Sequence, residues 1–234
     1  MDRQAVHYLP ILTTALSAAF CAVLLRAAVV RRSGPHLWWW AAGVFFYGLG
    51  TALKSTVTVL GNSVALTKAW YIAGALLGGY PLAQGVAYLL LTRRTDTLLA
   101  GLTLTMVFLA GVAVILSPAD LAKLEAHRPT GAVTGWKAVR WTTPLINLYS
   151  FVLLVGGAAW SARRYSGSSA TRHRAVGNAL IAAGALLPGV GGAMAKGGLV
   201  EALYVGECVG LILIWTGYGI IAARRRSEGD PVPS

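Results

Sequence analysis

Residues 199–226 read LVEALYVGECVGLILIWTGYGIIAARRR: twenty-five residues carrying only two ionisable acids, Glu201 and Glu207, closed by three arginines. An α-helix of about 20 mostly apolar residues crosses the ~30 Å hydrocarbon core of a bilayer. This stretch is therefore a membrane span with a basic stop. Six further runs have the same character, at Tyr8–Val30, Leu37–Leu60, Lys68–Leu91, Thr97–Leu116, Trp141–Ser161 and Ala175–Ala195. The expected fold is all-α: a polytopic membrane protein, a seven-transmembrane-helix bundle occupying residues 1–226, with a short disordered cytoplasmic tail at 227–234.

Composition agrees. The 234 residues are 56% apolar and 12% charged, with mean hydropathy +0.63, whereas a soluble domain carries about a quarter charged residues. One core of this length could not hide so much apolar surface. The net charge of +12 would suit nucleic acid only if the basic residues made a continuous stripe. Here they are divided among connections between apolar runs, so no nucleic-acid partner is expected. The first run ends in Arg26, Arg31 and Arg32 with no small-residue cleavage site, and it reads as a span.

The arginines also orient the chain. Arg26, Arg31 and Arg32 close the first span, and Arg93 and Arg94 follow the third. Arg163, Arg164, Arg172 and Arg174 join the fifth to the sixth, and Arg224, Arg225 and Arg226 follow the seventh. This side carries twelve basic residues against three acids; the other carries eight against five. Positive charge stays on the cytoplasmic side. The N-terminus is thus expected outside and the C-terminus inside, in a bacterial inner membrane. The inner arginines could contact a partner protein or anionic lipid. In the long outer connection, Pro118 to Glu125 reads as a short interfacial helix. Trp136 and Trp141 read as outer headgroup anchors, matched inside by Trp38, Trp39 and Trp40.

Cys21 and Cys208 sit within apolar runs as small hydrophobes. His7, His36, His127 and His173 lie at span ends or in loops. No cluster has metal-ligand spacing, and no nucleophile elbow or phosphate loop appears. Neither enzyme activity nor a cofactor is expected. Glycines at four-residue spacing, Gly74 with Gly78 and Gly206 with Gly210, favour close helix packing. Pro188, with Gly189, Gly191 and Gly192, offers a kink or hinge.

Intramembrane polar groups are functional candidates. Glu207 lies about 13 Å into the last span, on one face with Tyr204 and Leu211. Lys54 lies near the outer end of the second span. Tyr80, Gln84 and Tyr88 form a stripe on the third, beside Pro81, and Asn147 and Ser150 lie on the fifth. Lys54, Tyr80, Gln84, Asn147, Tyr204 and Glu207 are the expected ligand-binding set, an outward-opening pocket for a small molecule or lipid. The alternative is that they only hydrogen-bond helices together, at ~0.6 kcal/mol on average.

Leu148-Tyr149-Ser150-Phe151-Val152-Leu153-Leu154, the arginines at 163, 164, 172 and 174, and Gly184-Ala185-Leu186-Leu187-Pro188-Gly189 together resemble spans five and six of the seven-helix sensor regions at the N-termini of some bacterial histidine kinases. The resemblance extends over about half the chain, and Trp70 near the start of span three is compatible with it. It implies a sensor module acting through a partner. In those proteins an output domain follows span seven, while here about a dozen residues follow. No functional residue is carried over. The layout also matches microbial rhodopsins, but Val209 to Trp215 contains no lysine for retinal. Three functions are therefore expected in turn: a receptor-like module, a small-solute or proton-coupled transporter, and a non-catalytic subunit of a membrane complex.

Overall fold

The computed structural model describes residues 5–31 and 34–227. Arg32 and the tail from residue 228 lie outside the described residues, and with them most of the disorder expected for 227–234. Helices dominate in chain order: α1 (Leu9–Arg31), α2 (His36–Leu60), α3 (Val64–Trp70), a π-helical segment (Tyr71–Leu76), α4 (Tyr80–Leu90) and α5 (Arg93–Leu116). There follow α6 (Lys137–Phe151), a second π segment (Val152–Gly156), α7 (Gly157–Tyr165), α8 (Arg172–Lys196) and α9 (Val200–Ser227). No strand occurs among the described residues beyond two isolated bridges. Seven helical stretches are long and apolar enough to cross a membrane: 9–30, 36–60, 64–90, 93–116, 137–165, 169–195 and 200–223.

The third and fifth of these stretches are assembled from pieces. In the third, Leu77 N–H bonds the carbonyl of Ile72 at 3.0 Å, a five-residue step. A turn at 77–79 follows, and α4 starts with Pro81 in its first turn. Pro81 offers no N–H, and Gly78-Gly79 have low helix propensity, so the helix is interrupted where the sequence predicts a bend. By contrast, α8 runs unbroken through Pro188.

The chain divides into two packing units, Met1–Leu153 and Leu154–Ser234. In the first, α2 lies antiparallel to the third stretch, and glycines set the register. A β-carbon added at Gly43 would come within 2.8 Å of Leu82 N, and one at Gly50 within 2.7 Å of Gly74 Cα. Gly85 is pressed against the Trp40 ring. Gly74 thus serves close packing, whereas Gly78 lies in the turn under the carbonyl of Gly74. The core of this unit is Tyr71, Leu76, Tyr80, Val107, Ala110, Val114, Val139 and Ile146.

In the second unit α8 and α9 pack antiparallel through glycine on both sides. An added β-carbon at Gly184 would lie 2.5 Å from Gly210 O, at Gly191 2.7 Å from Ala202 O, and at Gly206 2.8 Å from Leu187 O. Gly177 and Gly217 oppose each other in the same way. On α8 the glycines 177, 184 and 191 recur every seven residues, the period of a helix–helix seam. Gly191, read as a hinge residue, is part of this seam. Of the three glycines read as a hinge, only Gly189 and Gly192 have open space at the β-carbon position.

The connection between α5 and α6 is not the interfacial helix expected for Pro118 to Glu125. Its only helical turn there is Leu121–Lys123. The backbone pairs across the loop instead: Asp120 N–H to Val133 O at 2.9 Å and Gly135 N–H to Pro118 O at 2.8 Å. Asn62 pins the loop from the α2–α3 turn. Its Nδ2 donates to the carbonyls of Glu125 (2.8 Å) and Arg128 (3.2 Å), while its Oδ1 accepts from Thr67 Oγ1 at 2.9 Å. Lys68 Nζ donates to the carbonyls of Ile115 and Ser117 at 2.8 and 2.7 Å. It thereby caps the C-terminus of α5, where carbonyls lack intrahelical partners and a cation is favoured. That supplies a reason for a lysine at this end.

Candidate functional site

A buried polar cluster joins three helices of the first unit. Gln84, fully buried on α4, donates from Nε2 to Asp96 Oδ1 at 2.7 Å. Its Oε1 accepts from the Tyr149 hydroxyl of α6, also at 2.7 Å. Asp96 belongs to the first turn of α5 and is buried. The helix starts at an N-cap, Thr92, whose Oγ1 accepts from Thr95 N–H. A carboxylate in that first turn lies at the favourable end of the helix dipole.

Tyr80 lies one helical turn before Gln84 on α4. Its hydroxyl lies 3.2 Å from Thr103 Oγ1 of α5. Its ring centroid lies 6.2 Å from that of Tyr149 and 6.1 Å from that of Trp39, edge-on to the latter. The break at 77–79 lets α6 approach here, since Gly79 sits directly under Ser150. A buried amide with its oxygen and nitrogen both used, ending on a carboxylate, is a satisfied network, and such networks fix a single packing.

Within the first unit, the expected pocket residues divide between this cluster and other positions. Tyr80 and Gln84 belong to it. Lys54, buried on α2, does not. The register placing Gly43 on Leu82 and Trp40 on Gly85 sets Gln84 level with Ala41. Lys54 is thirteen residues further along α2, about 20 Å at 1.5 Å per residue. Lys54 and Gln84 therefore occupy opposite halves of their helices, and they do not line one outer-half pocket. Asn147 points out of the unit and is exposed; Tyr149, two residues on, reaches the cluster instead. Tyr204 (buried) and Glu207 (half-buried) lie on α9 of the second unit.

Two members of the cluster were absent from the expected set. In the sequence Asp96 falls in the connection after Arg93-Arg94, just before the apolar run Thr97–Leu116. The helix starts four residues earlier, and Asp96 heads the buried stripe Asp96, Val107, Ala110, Val114, whose spacings of eleven, fourteen and eighteen fit one helical face. That periodicity was the available signal. Tyr149 carried only the weak signal of a tyrosine next to Ser150.

Outside the spans, Lys123 Nζ lies 2.6 Å from Asp120 Oδ2. Its hydrogen bond holds the Asp120 carboxyl below the usual carboxylate range. Among the described residues no group of three or more His, Cys, Asp or Glu side chains is placed to hold a metal ion.

Compared with family models, curated proteins and solved structures, the chain matches none, so a functional reading has to be built from its own residues.

Proposed function

We propose that this chain is a multi-pass inner-membrane protein, N-terminus outside and C-terminus inside, working as a receptor-like module. A small molecule or lipid taken up in the outer half, at the level of Lys54, shifts the packing of the helices, and another protein reads the shift at the arginine-rich end. The arginine asymmetry supports the orientation. Exposed Trp136 and Trp141 suit the outer headgroup level. The resemblance to kinase sensor regions favours the receptor class.

The observation that carries the proposal is the Tyr149–Gln84–Asp96 chain. It joins α4, α5 and α6, and it ends two residues after Arg94. A ligand changes an equilibrium only through differential affinity for two packings. A buried polar chain with fixed partners holds one packing and resists graded shifts, so a ligand that moves these helices must make its groups re-pair.

The test is melting of the purified chain in detergent against a panel of membrane lipids and polar metabolites. A stabilising ligand is expected whose effect is lost in Lys54→Met and weakened in Gln84→Leu. A panel that leaves the wild type unmoved overturns the ligand. Pull-down in mild detergent is expected to recover a stoichiometric partner, and a clean monomer overturns action through another protein. Proton or solute flux in proteoliposomes that Glu207→Gln abolishes would make the chain a carrier instead. A periplasm-active reporter fused after Arg226 is expected to stay silent.

A further inference from the structure

At the arginine-rich end of the second unit, the α7–α8 connection borders an open, shallow groove of about 690 Å³. Its polar rim is Arg163, Arg172, Ser168 and Ser169; its wall is the apolar face of α8 at Val176 and Ala179. All four rim residues are exposed. Between residues 126 and 200 the chain contains no Asp or Glu, so the local positive charge has no acidic counterpart nearby in sequence. Among the described residues neither Arg163 nor Arg172 has a carboxylate partner. The neighbouring Arg174 is used differently: its guanidinium lies over the Tyr165 ring, 5.7 Å from the centroid.

We propose that this groove binds the phosphodiester headgroup of an anionic phospholipid. Guanidinium groups recognise phosphate oxygens with paired, charge-assisted hydrogen bonds, and serine hydroxyls add donors. A phosphate compound in solution would be served by the rim alone. The apolar wall argues for lipid, because it descends from the rim along a helix long enough to span the bilayer and can carry an acyl chain away from the headgroup. The groove lies where two antiparallel spanning helices end, the depth of lipid phosphates. Basic pockets between transmembrane helices bind anionic headgroups by this logic. The site is independent of the receptor reading.

The test uses the full chain in a neutral detergent, titrated with phosphatidylglycerol, phosphatidylcholine, or glycerol 3-phosphate, and followed by melting temperature and by lipid retained in native mass spectrometry. Phosphatidylglycerol is expected to be retained and to raise the melting temperature. The double variant R163Q/R172Q is expected to weaken its apparent affinity by roughly tenfold or more. The charge-matched control R93Q/R94Q, in the other unit, is expected to keep wild-type affinity. Equal losses in both double variants, or none in R163Q/R172Q, overturn the site. Glycerol 3-phosphate stabilising as well as the lipid overturns lipid as its source, and equal retention of phosphatidylcholine overturns recognition of net charge.

Discussion

Gln84 of α4 donates its carboxamide to the carboxyl of Asp96 of α5 across 2.7 Å, both side chains being buried, and the same carboxamide accepts from Tyr149 of α6. Leucine at position 84 removes a donor and an acceptor together and leaves the buried Asp96 carboxyl and the half-buried Tyr149 hydroxyl without this partner. Interhelical hydrogen bonds in membranes average only ~0.6 kcal/mol, but an orphaned buried polar group costs about 1–3 kcal/mol. Gln84→Leu is therefore expected to destabilise by about 2–4 kcal/mol, and adding Asp96→Leu to recover part of the loss. Thermal unfolding in detergent measures both. An additive double variant would show that the two side chains do not act as a pair.

The α8–α9 seam predicts opposite results for glycines close together in sequence. Gly184→Val places a branched side chain where even a β-carbon would lie 2.5 Å from Gly210 O. The helices must separate, at a cost of about 1–3 kcal/mol or more. Gly189→Ala and Gly192→Ala meet nothing within 4 Å and are expected to be neutral or to stabilise by about 0.4–1 kcal/mol. Melting temperatures of the three variants separate a packing seam from a flexible hinge, because a hinge would be insensitive at position 184.

Asn62 in the α2–α3 turn and Lys68 on α3 hold the α5–α6 connection at two points. Lys68→Met removes two hydrogen bonds to carbonyls at the end of α5 and is expected to cost about 1–2 kcal/mol. Asn62→Asp keeps the acceptor for Thr67 but loses both donors to the loop. Trypsin cleavage after Lys123 should accelerate in both variants. Unchanged cleavage would show that the bridges at Ala119–Thr134 and Glu125–Arg128 suffice to order the loop.

Asp120 offers a pH test outside the membrane. Its folded pKa is lowered, chiefly by the hydrogen bond from Lys123. The associated stabilisation is therefore present above the unfolded value of about 3.9 and is lost as pH falls through the folded value. Carboxyl NMR of the labelled chain should give a midpoint below that reference, and Lys123→Met should raise it. A midpoint already at the reference value in the wild type would mean that the pair does not persist in solution.

What the sequence determined by itself is set by local quantities. Apolar run length marked seven helical stretches, because crossing a bilayer imposes one length on all of them. The far ends at Leu60, Leu116 and Ala223 match the sequence reading to the residue, whereas the fifth stretch, read to Ser161, runs on to Tyr165. Pro81 after Gly78-Gly79 announced the interruption of the third stretch, since proline removes a donor whatever surrounds it. Pro188 announced a kink that α8 does not make by breaking, because the close seam with α9 holds the helix through it.

Tertiary structure alone decided which polar residues meet. Sequence spacing places Tyr80 and Gln84 on one face, but it gives no register between α2 and α4. That register is set by glycine contacts at positions 43, 50 and 85, and it offsets Lys54 from the level of Gln84 by about 20 Å along the helix axis. Which of Asn147 and Tyr149 turns inward depends on how α6 is rotated over Gly79. Asp96 becomes a buried partner only because its helix begins before the apolar run does. Helix length is a property of one segment against the bilayer; the meeting of side chains is a property of two segments against each other, and one-dimensional patterning contains only the first.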